Sequence, residues 1–393
     1  MRRGPDVNIA VLLHSGAGGS GVAATELGLS FARSGDAVHF VADRVPFRLT
    51  EPSLPNVFFH QVEAMTYPLF DAPLTTLAEA SKLAEVIEEV GIDVIHAHYA
   101  VPHATAAVLA RDMVRAARRP VVVTTLHGTD VTLVGLNRAY LRATQYSIER
   151  SDVVTAVSRY LADYTNREMG VRAPIRVIPN AVDHERFRPA PAPGADRPDA
   201  RQRFAHPDEK LLVHISNFRA VKKVEDVIRV FGRVSERLGA RLLMVGDGPD
   251  RPAAVALADT LGLTGRVSFL GSFPRIEDVL AVSDLFLLPS IKESFGLSAL
   301  EAMASGVPVV ASRIGGLPEV VEDGVSGRLL EPGDVEGMAR AAVELLSDEG
   351  VHARYARAAR ERAVREFSEE SVVPLVARAY ADALGSPVAA SGR

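Results

Sequence analysis

Along almost the whole chain, short apolar runs alternate with segments of helical period. That alternation confines it to the α/β class. Runs at 8–13, 37–42, 93–98, 121–126, 153–157 and 176–178 read as strands of a first series, with helices expected over 22–34 and 77–90. Runs at 211–216, 241–245, 267–270, 285–288 and 307–311 read as strands of a second. This second series carries an amphipathic helix over 224–238 and a helical segment over 335–384. PAPAPGADRP at 189–198 separates the two, and its spaced prolines make an extended, fairly stiff link. A chain of 393 residues also exceeds one ordinary core. The expected organisation is a Rossmann-like domain over 1–188, a linker over 189–210 and a second Rossmann-like domain over 211–365. A helix over 366–385 is expected to pack back on the first domain, followed by a tail over 386–393. Two doubly wound domains would face a central cleft, where ligands usually bind.

Composition narrows the partners. A net charge of −5 without a long basic run argues against nucleic acid. The absence of cysteine excludes disulfides, thiolate nucleophiles and Cys-ligated metals, and it fits a cytoplasmic location. No separate apolar segment precedes the first strand and no run is long enough to span a bilayer. Neither a signal peptide nor stable membrane insertion is expected.

The stretch KESFGLSALEAMASGVP at 292–308 carries the most chemistry. The apolar run before it ends in Pro289 and Ser290, so Glu293 falls in the loop after a strand and Glu301 in the helix that follows. The first turn of that helix, near Phe295, Gly296, Leu297 and Ser298, has free N–H groups that attract phosphate. A diphosphate there would leave one carboxylate for sugar hydroxyls and the other for a ribose, which describes a nucleotide-sugar site. Two solvated surface glutamates are the plainer reading of the spacing alone. Arg219, Lys222 and Lys223 follow another strand, where three cations suit a departing diphosphate. Gly246-Asp247-Gly248-Pro249 reads as a tight turn, and Gly315-Gly316 as a backbone-shaping pair.

In the first half, Gly16-Ala17-Gly18-Gly19-Ser20-Gly21 satisfies G-x-G-x-x-G between a strand and a helix, and Asp43 ends the next strand. A nicotinamide-dependent oxidoreductase is therefore a rival reading. The glycines equally allow close backbone approach to any phosphate or small acid. His127 in LHGTD can hydrogen-bond a sugar hydroxyl or be satisfied locally. His96 and His98 share one strand face and line a cavity or, with His103, a metal site. No acidic third ligand stands near, so metal is not expected.

These motifs together resemble the retaining GT-B glycosyltransferases of the glycogen-synthase-like superfamily. GGSG at 18–21, HGTD at 127–130, the cationic loop at 219–223, GDGP at 246–249 and the pair Glu293 and Glu301 carry the resemblance. More narrowly, GGSGVAATELG at 18–28, HAHYAVPHA at 96–104, TTLHGTD at 124–130, SNFRAVKKVEDVIRVF at 216–231 and the 292–308 stretch are similar to the N-acetylglucosaminyl L-malate synthases of bacillithiol biosynthesis. The resemblance covers almost the whole chain. It implies a GT-B fold, an N-terminal domain for the acceptor and a C-terminal one for UDP-N-acetylglucosamine. It implies that Glu301 takes the ribose, and that Glu293 with the amides of Phe295, Gly296 and Leu297 takes the sugar hydroxyls. His127 would hold the outer hydroxyl, and Arg219, Lys222, Lys223, Gly18 and Gly19 the diphosphate. His127, Glu293, Arg219 and Lys223 would form the catalytic set, and Ser20, Tyr99, Thr125 and Gln145 the acceptor pocket for a small hydroxy acid such as L-malate. The family retains anomeric configuration without a protein nucleophile and needs neither metal nor cofactor; a homodimer is left open. The chain departs from the family pattern at His14-Ser15, where Tyr-Pro is usual, at Gln145, where arginine is common, and at Ile291, where glutamate is usual. The loss of a cation near the acceptor weakens the implication of a dicarboxylate, unless Arg142 or Arg150 substitutes.

Overall fold

The computed structural model describes residues 7–16, 18–49, 54–66, 72–115, 119–190 and 200–385. Residues 191–199 of the expected linker and the whole expected tail lie outside these residues. By backbone packing the chain forms two units, 1–181 with 369–393, and 182–368.

Unit 1 holds β1 (Asn8–Leu12), α1 (Gly19–Arg33), β2 (Ala37–Ala42), β3 (Val57–Gln61), α2 (Thr75–Val90), β4 (Val94–His98), α3 (Thr105–Met113) and β5 (Val121–Leu126). It continues with α4 (Leu141–Arg150), β6 (Val153–Ala156), α5 (Arg159–Met169) and β7 (Ile175–Val177). Its seven strands run in the order β3-β2-β1-β4-β5-β6-β7, every pairing parallel. Parallel strands are covered on both faces, which is why they read as unbroken apolar runs. One face packs Ile9, Val11 and Phe40 against Phe31 of α1 and Val376 and Tyr380 of the chain's final helix. The other packs Leu12 and Ile95 against Leu83 and Ile87 of α2.

Unit 2 holds β8 (Lys210–Ile215), α6 (Val224–Ser235), β9 (Ala240–Val245), α7 (Arg251–Thr260), β10 (Val267–Gly271), α8 (Ile276–Leu280) and β11 (Leu285–Leu288). After these come α9 (Leu297–Ala304), β12 (Val309–Ser312), α10 (Leu317–Val320), β13 (Gly327–Leu330), α11 (Val335–Ser347) and α12 (Glu349–Phe367). The order β10-β9-β8-β11-β12-β13, again parallel, repeats the logic of unit 1. In each sheet the winding reverses beside the first strand, so β1 lies next to β4 and β8 next to β11. Loops leaving the carboxyl ends of such a pair form the crevice where open α/β sheets bind ligands.

Beyond helices such as α3, α4, α5 and α7 that the sequence reading did not single out, three differences have a local cause. β3 and β13 were not expected; both are sheet edges, and each carries polar residues that blunt the apolar signal. The helical segment expected over 335–384 is three helices, α11, α12 and α13 (Glu369–Gly385). It breaks at Asp348, whose carboxylate caps α12 by accepting from the Val351 amide at 2.9 Å, and at Ser368, which is extended. Finally, α1 begins at Gly19, three residues earlier than expected, which puts the loop glycines at its N-terminus.

Candidate functional site

In unit 2 the loops after β8 and β11 are tied together at the switch point. The Ile291 amide donates to the Val221 carbonyl at 2.9 Å. Lys222 Nζ forms an ion pair with Glu293 Oε1. Ser290 Oγ donates to the same carboxylate oxygen at 3.1 Å. Glu293 is 9% exposed and Glu301, on α9, 5%. Lys222 and Glu293 thus neutralise each other, whereas Arg219 and Lys223 are exposed and join no ion pair among the described residues. The amides of Phe295, Gly296 and Leu297, at the start of α9, donate to no backbone carbonyl among the described residues. Two unpaired cations and a helix N-terminus make this end of the sheet attractive to a diphosphate.

Glycine turns hold both loops from below. A Cβ on Gly246, after β9, would lie 1.8 Å from the Ser216 carbonyl oxygen. One on Gly315, after β12, would lie 1.7 Å from that of Glu293. Both glycines also have positive φ, so no other residue fits without moving the loop above. His214 on β8 completes the support. Its Nδ1 faces the Leu287 carbonyl at 2.8 Å, so it must be the protonated nitrogen, and Nε2 accepts from Ser216 Oγ at 2.8 Å. Burial lowers its pKa to about 4, so it is a neutral strut rather than a charge.

In unit 1 the ends of β4 and β5 bring together a chain of histidines. His98 Nδ1 lies 2.9 Å from His127 Nε2. His96 bridges Tyr380 Oη, 2.8 Å from Nδ1, and Thr125 Oγ1, 2.7 Å from Nε2. Thr125 Oγ1 lies 2.7 Å from Thr155 Oγ1. Burial pushes His96 and His127 down to about 3 and His98 well below its ordinary value, with neighbouring imidazoles adding to the effect. All three are therefore neutral at physiological pH. Asp130 clamps the two strand ends by accepting from the amides of Ala100 at 3.0 Å, Gly128 at 2.8 Å and His127 at 3.3 Å. Burial raises its pKa to about 6, against the pull of those amides.

The structure groups Arg219, Lys222, Lys223, Glu293, Phe295, Gly296, Leu297 and Glu301 in unit 2, and Gly18, Gly19, Ser20, Tyr99, Thr125 and His127 at the strand ends of unit 1. Ser20 Oγ donates to Tyr99 Oη at 2.6 Å. Thr125 is buried and bonded to His96 and Thr155. Gln145 stands apart, its Nε2 donating to the Met169 carbonyl at the end of α5, 2.7 Å away. Of the two arginines considered as its substitute, Arg142 is exposed and Arg150 leans toward Asp112 at 3.8 Å. Ser15 is buried and ties the first loop to Asp43 at 2.5 Å. His96 and His98 share a face, ring centroids 4.1 Å apart, and line a small cavity. Among the described residues no group of three or more His, Asp or Glu is placed to hold a metal ion. Sequence reasoning missed His214, Ser290, Thr155 and Tyr380. A lone polar residue in an apolar strand was the available signal for His214.

Comparison with known proteins bears on the family and the fold. The family model described as Glycosyl transferases group 1 matches residues 196–362, and that described as Glycosyltransferase Family 4 matches residues 17–186. The chain is 41% identical over 379 residues to an N-acetyl-alpha-D-glucosaminyl L-malate synthase of Bacillus anthracis, covering 96% of this chain and 97% of that one. It is 31% identical to a D-inositol 3-phosphate glycosyltransferase of Kribbella flavida, covering 88% and 87%. Among solved structures it is similar in fold to a sucrose-phosphate synthase from Thermosynechococcus elongatus, with TM-score 0.76, 24% identity and coverage of 95% and 98%. It is likewise similar to Anabaena Alr3699/HepE in complex with UDP-glucose, with TM-score 0.77, 23% identity and coverage of 95% and 99%.

Proposed function

We propose, from the premise that the chain belongs to the family 4, group 1 glycosyltransferases, that it transfers N-acetylglucosamine from UDP-N-acetylglucosamine to the hydroxyl of L-malate. As a member of that family it is a nucleotide-sugar-dependent, retaining enzyme of GT-B fold. The family sets aside the oxidoreductase reading of the first glycine loop. The observation that carries the narrower proposal is the 41% identity to the Bacillus anthracis synthase across almost the full length of both chains.

The geometry of unit 2 suits the donor half. Arg219 and Lys223 neutralise the diphosphate and stabilise the charge that grows on it as the sugar C1–O bond breaks. Glu301 takes the ribose hydroxyls. Glu293, held by Lys222 and Ser290, takes sugar hydroxyls together with the α9 amides. His127, as a neutral imidazole, takes an outer hydroxyl. The acceptor oxygen bonds to C1 on the face the diphosphate leaves, and its proton passes to a departing phosphate oxygen. Configuration is thereby retained with no protein nucleophile. Ser20 and Tyr99, bonded to each other, are the unit 1 groups this reading assigns to the acceptor. A cysteine-free chain suits a cytoplasmic role in a bacillithiol-type pathway.

The test is UDP release from UDP-N-acetylglucosamine with and without L-malate, with product mass read in parallel. Malate-dependent release and a mass of N-acetylglucosaminyl malate are expected. Release that ignores malate would move the acceptor to another small hydroxylated molecule.

A further inference from the structure

We propose that water in the small cavity of unit 1 joins two hydrogen-bonded segments into one directed chain, from Tyr380 to His127, that fixes the His127 proton on Nδ1. The cavity measures about 30 Å³ and is lined by His96, His98, Thr125, Thr155, Glu26 and Asn180 among others. That is room for one or two waters beside polar partners. The orphan atom is His98 Nε2, buried and without a hydrogen-bond partner among the described residues.

Tyr380 sets the direction. It is 4% exposed, and among the described residues its hydroxyl has one partner, His96 Nδ1 at 2.8 Å. A buried O–H without an acceptor costs roughly 1–3 kcal/mol, so the phenol donates to Nδ1. Neutral His96 then carries its proton on Nε2 and donates to Thr125 Oγ1. Thr125 passes its own hydroxyl proton to Thr155 Oγ1, which leaves the Thr155 proton for the cavity. Water there accepts from Thr155 and donates to His98 Nε2. The His98 proton is thereby held on Nδ1, where it bonds to His127 Nε2 at 2.9 Å. Neutral His127 is left with its proton on Nδ1, a nitrogen with no protein partner among the described residues. The reverse direction satisfies the same distances but strands the Tyr380 hydroxyl proton in the core.

The consequence concerns chemistry. His127 is a donor to a ligand oxygen and cannot take the proton of an attacking hydroxyl. This ligand assignment rests on the proposed function; the direction of the chain does not. Tyr380 is then a positioning residue that acts through five intermediaries.

The test is long-range 1H–15N correlation of the histidine rings in the full-length protein, assigned by single substitutions and recorded without ligand. The expected pattern is Nδ1–H on His127 and His98, and Nε2–H on His96. Tyr380→Phe keeps the stack on Phe31, whose ring centroid lies 5.0 Å away, but removes the donor. It is expected to give a mixed His127 signature and to raise KM for UDP-N-acetylglucosamine about fivefold, the loss of one hydrogen bond of about 1 kcal/mol, with UDP affinity unchanged. A wild-type His127 with its proton on Nε2, or a Tyr380→Phe spectrum with an unaltered His127 signature, overturns the proposal. Failure to turn over UDP-N-acetylglucosamine counts against the proposed function alone, because the ring spectra need no substrate.

Discussion

Lys222 and Glu293 neutralise each other, which determines what each can offer a ligand. Lys222→Met would leave the buried Glu293 carboxylate with Ser290 Oγ as its remaining side-chain donor among the described residues. A loss of roughly 1–3 kcal/mol in denaturant unfolding is expected. Glu293→Gln keeps the shape and an oxygen for Ser290, so it should cost less stability. It should nevertheless lower kcat/KM for the donor about a hundredfold in steady-state kinetics. Equal stability of Lys222→Met and wild type would mean that the pair does not form in solution. Gln145 has a different expectation from the one its sequence position suggested. Its amide is bonded to the Met169 carbonyl, so Gln145→Ala should cost about 1 kcal/mol and leave KM for malate within about twofold. A tenfold rise in that KM would return Gln145 to the acceptor pocket.

At the scale of elements, the central strands were legible because parallel strands buried on both faces leave uninterrupted apolar runs. β3 and β13 were not, because an edge strand needs less burial and tolerates Phe58 in solvent or Arg328 beside Glu344. The site loops were legible as strand ends carrying Glu293, Arg219 and His127. The glycine turns after β9 and β12 were legible as turns, but not as supports of these loops, which they meet only once the sheet is assembled. Tyr380 lies 284 residues from the His96 it bonds, and no local pattern announces that contact. The turn after β12 gives a direct test. Gly315→Ala should displace the Glu293 backbone, lowering kcat/KM more than a hundredfold and destabilising unit 2 by a few kcal/mol. Gly324→Ala is the control. Gly324 also has positive φ, yet a Cβ there meets nothing within 4 Å. It should carry only the left-handed strain of about 1–2 kcal/mol and keep its activity. Equal activity losses in the two variants would show that strain, not contact with Glu293, governs the loop.

At the scale of the whole molecule, the histidines whose pKa burial lowers most divide unevenly. Unit 1 holds His39, lowered to about 4, His96 and His127, lowered to about 3, and His98, lowered well below its ordinary value, whereas unit 2 holds His214, lowered to about 4. Burial is the first cause in each. A folded-state pKa below the unfolded value of 6.5 means that the unfolded chain binds protons first as pH falls. The stability these groups confer is therefore complete above pH 6.5 and is lost toward pH 4, at about 1.4 kcal/mol per group per pH unit. Asp130 acts in the opposite sense, because its raised pKa of about 6 favours the folded state as pH falls from 7 toward 4. It offsets part of the deficit of unit 1 but not four histidines. Acidification from pH 7 to pH 5 should thus destabilise unit 1 more than unit 2, although the chain passes between them at 181–182 and again at 368–369. Calorimetry at pH 5 should resolve two transitions, the lower belonging to unit 1. UDP at a hundred times its Kd should identify the upper one by stabilising unit 2 by about 2.7 kcal/mol. If the UDP-sensitive transition melts first at pH 5, or both move together with pH, the neutral histidines of unit 1 do not control its acid stability.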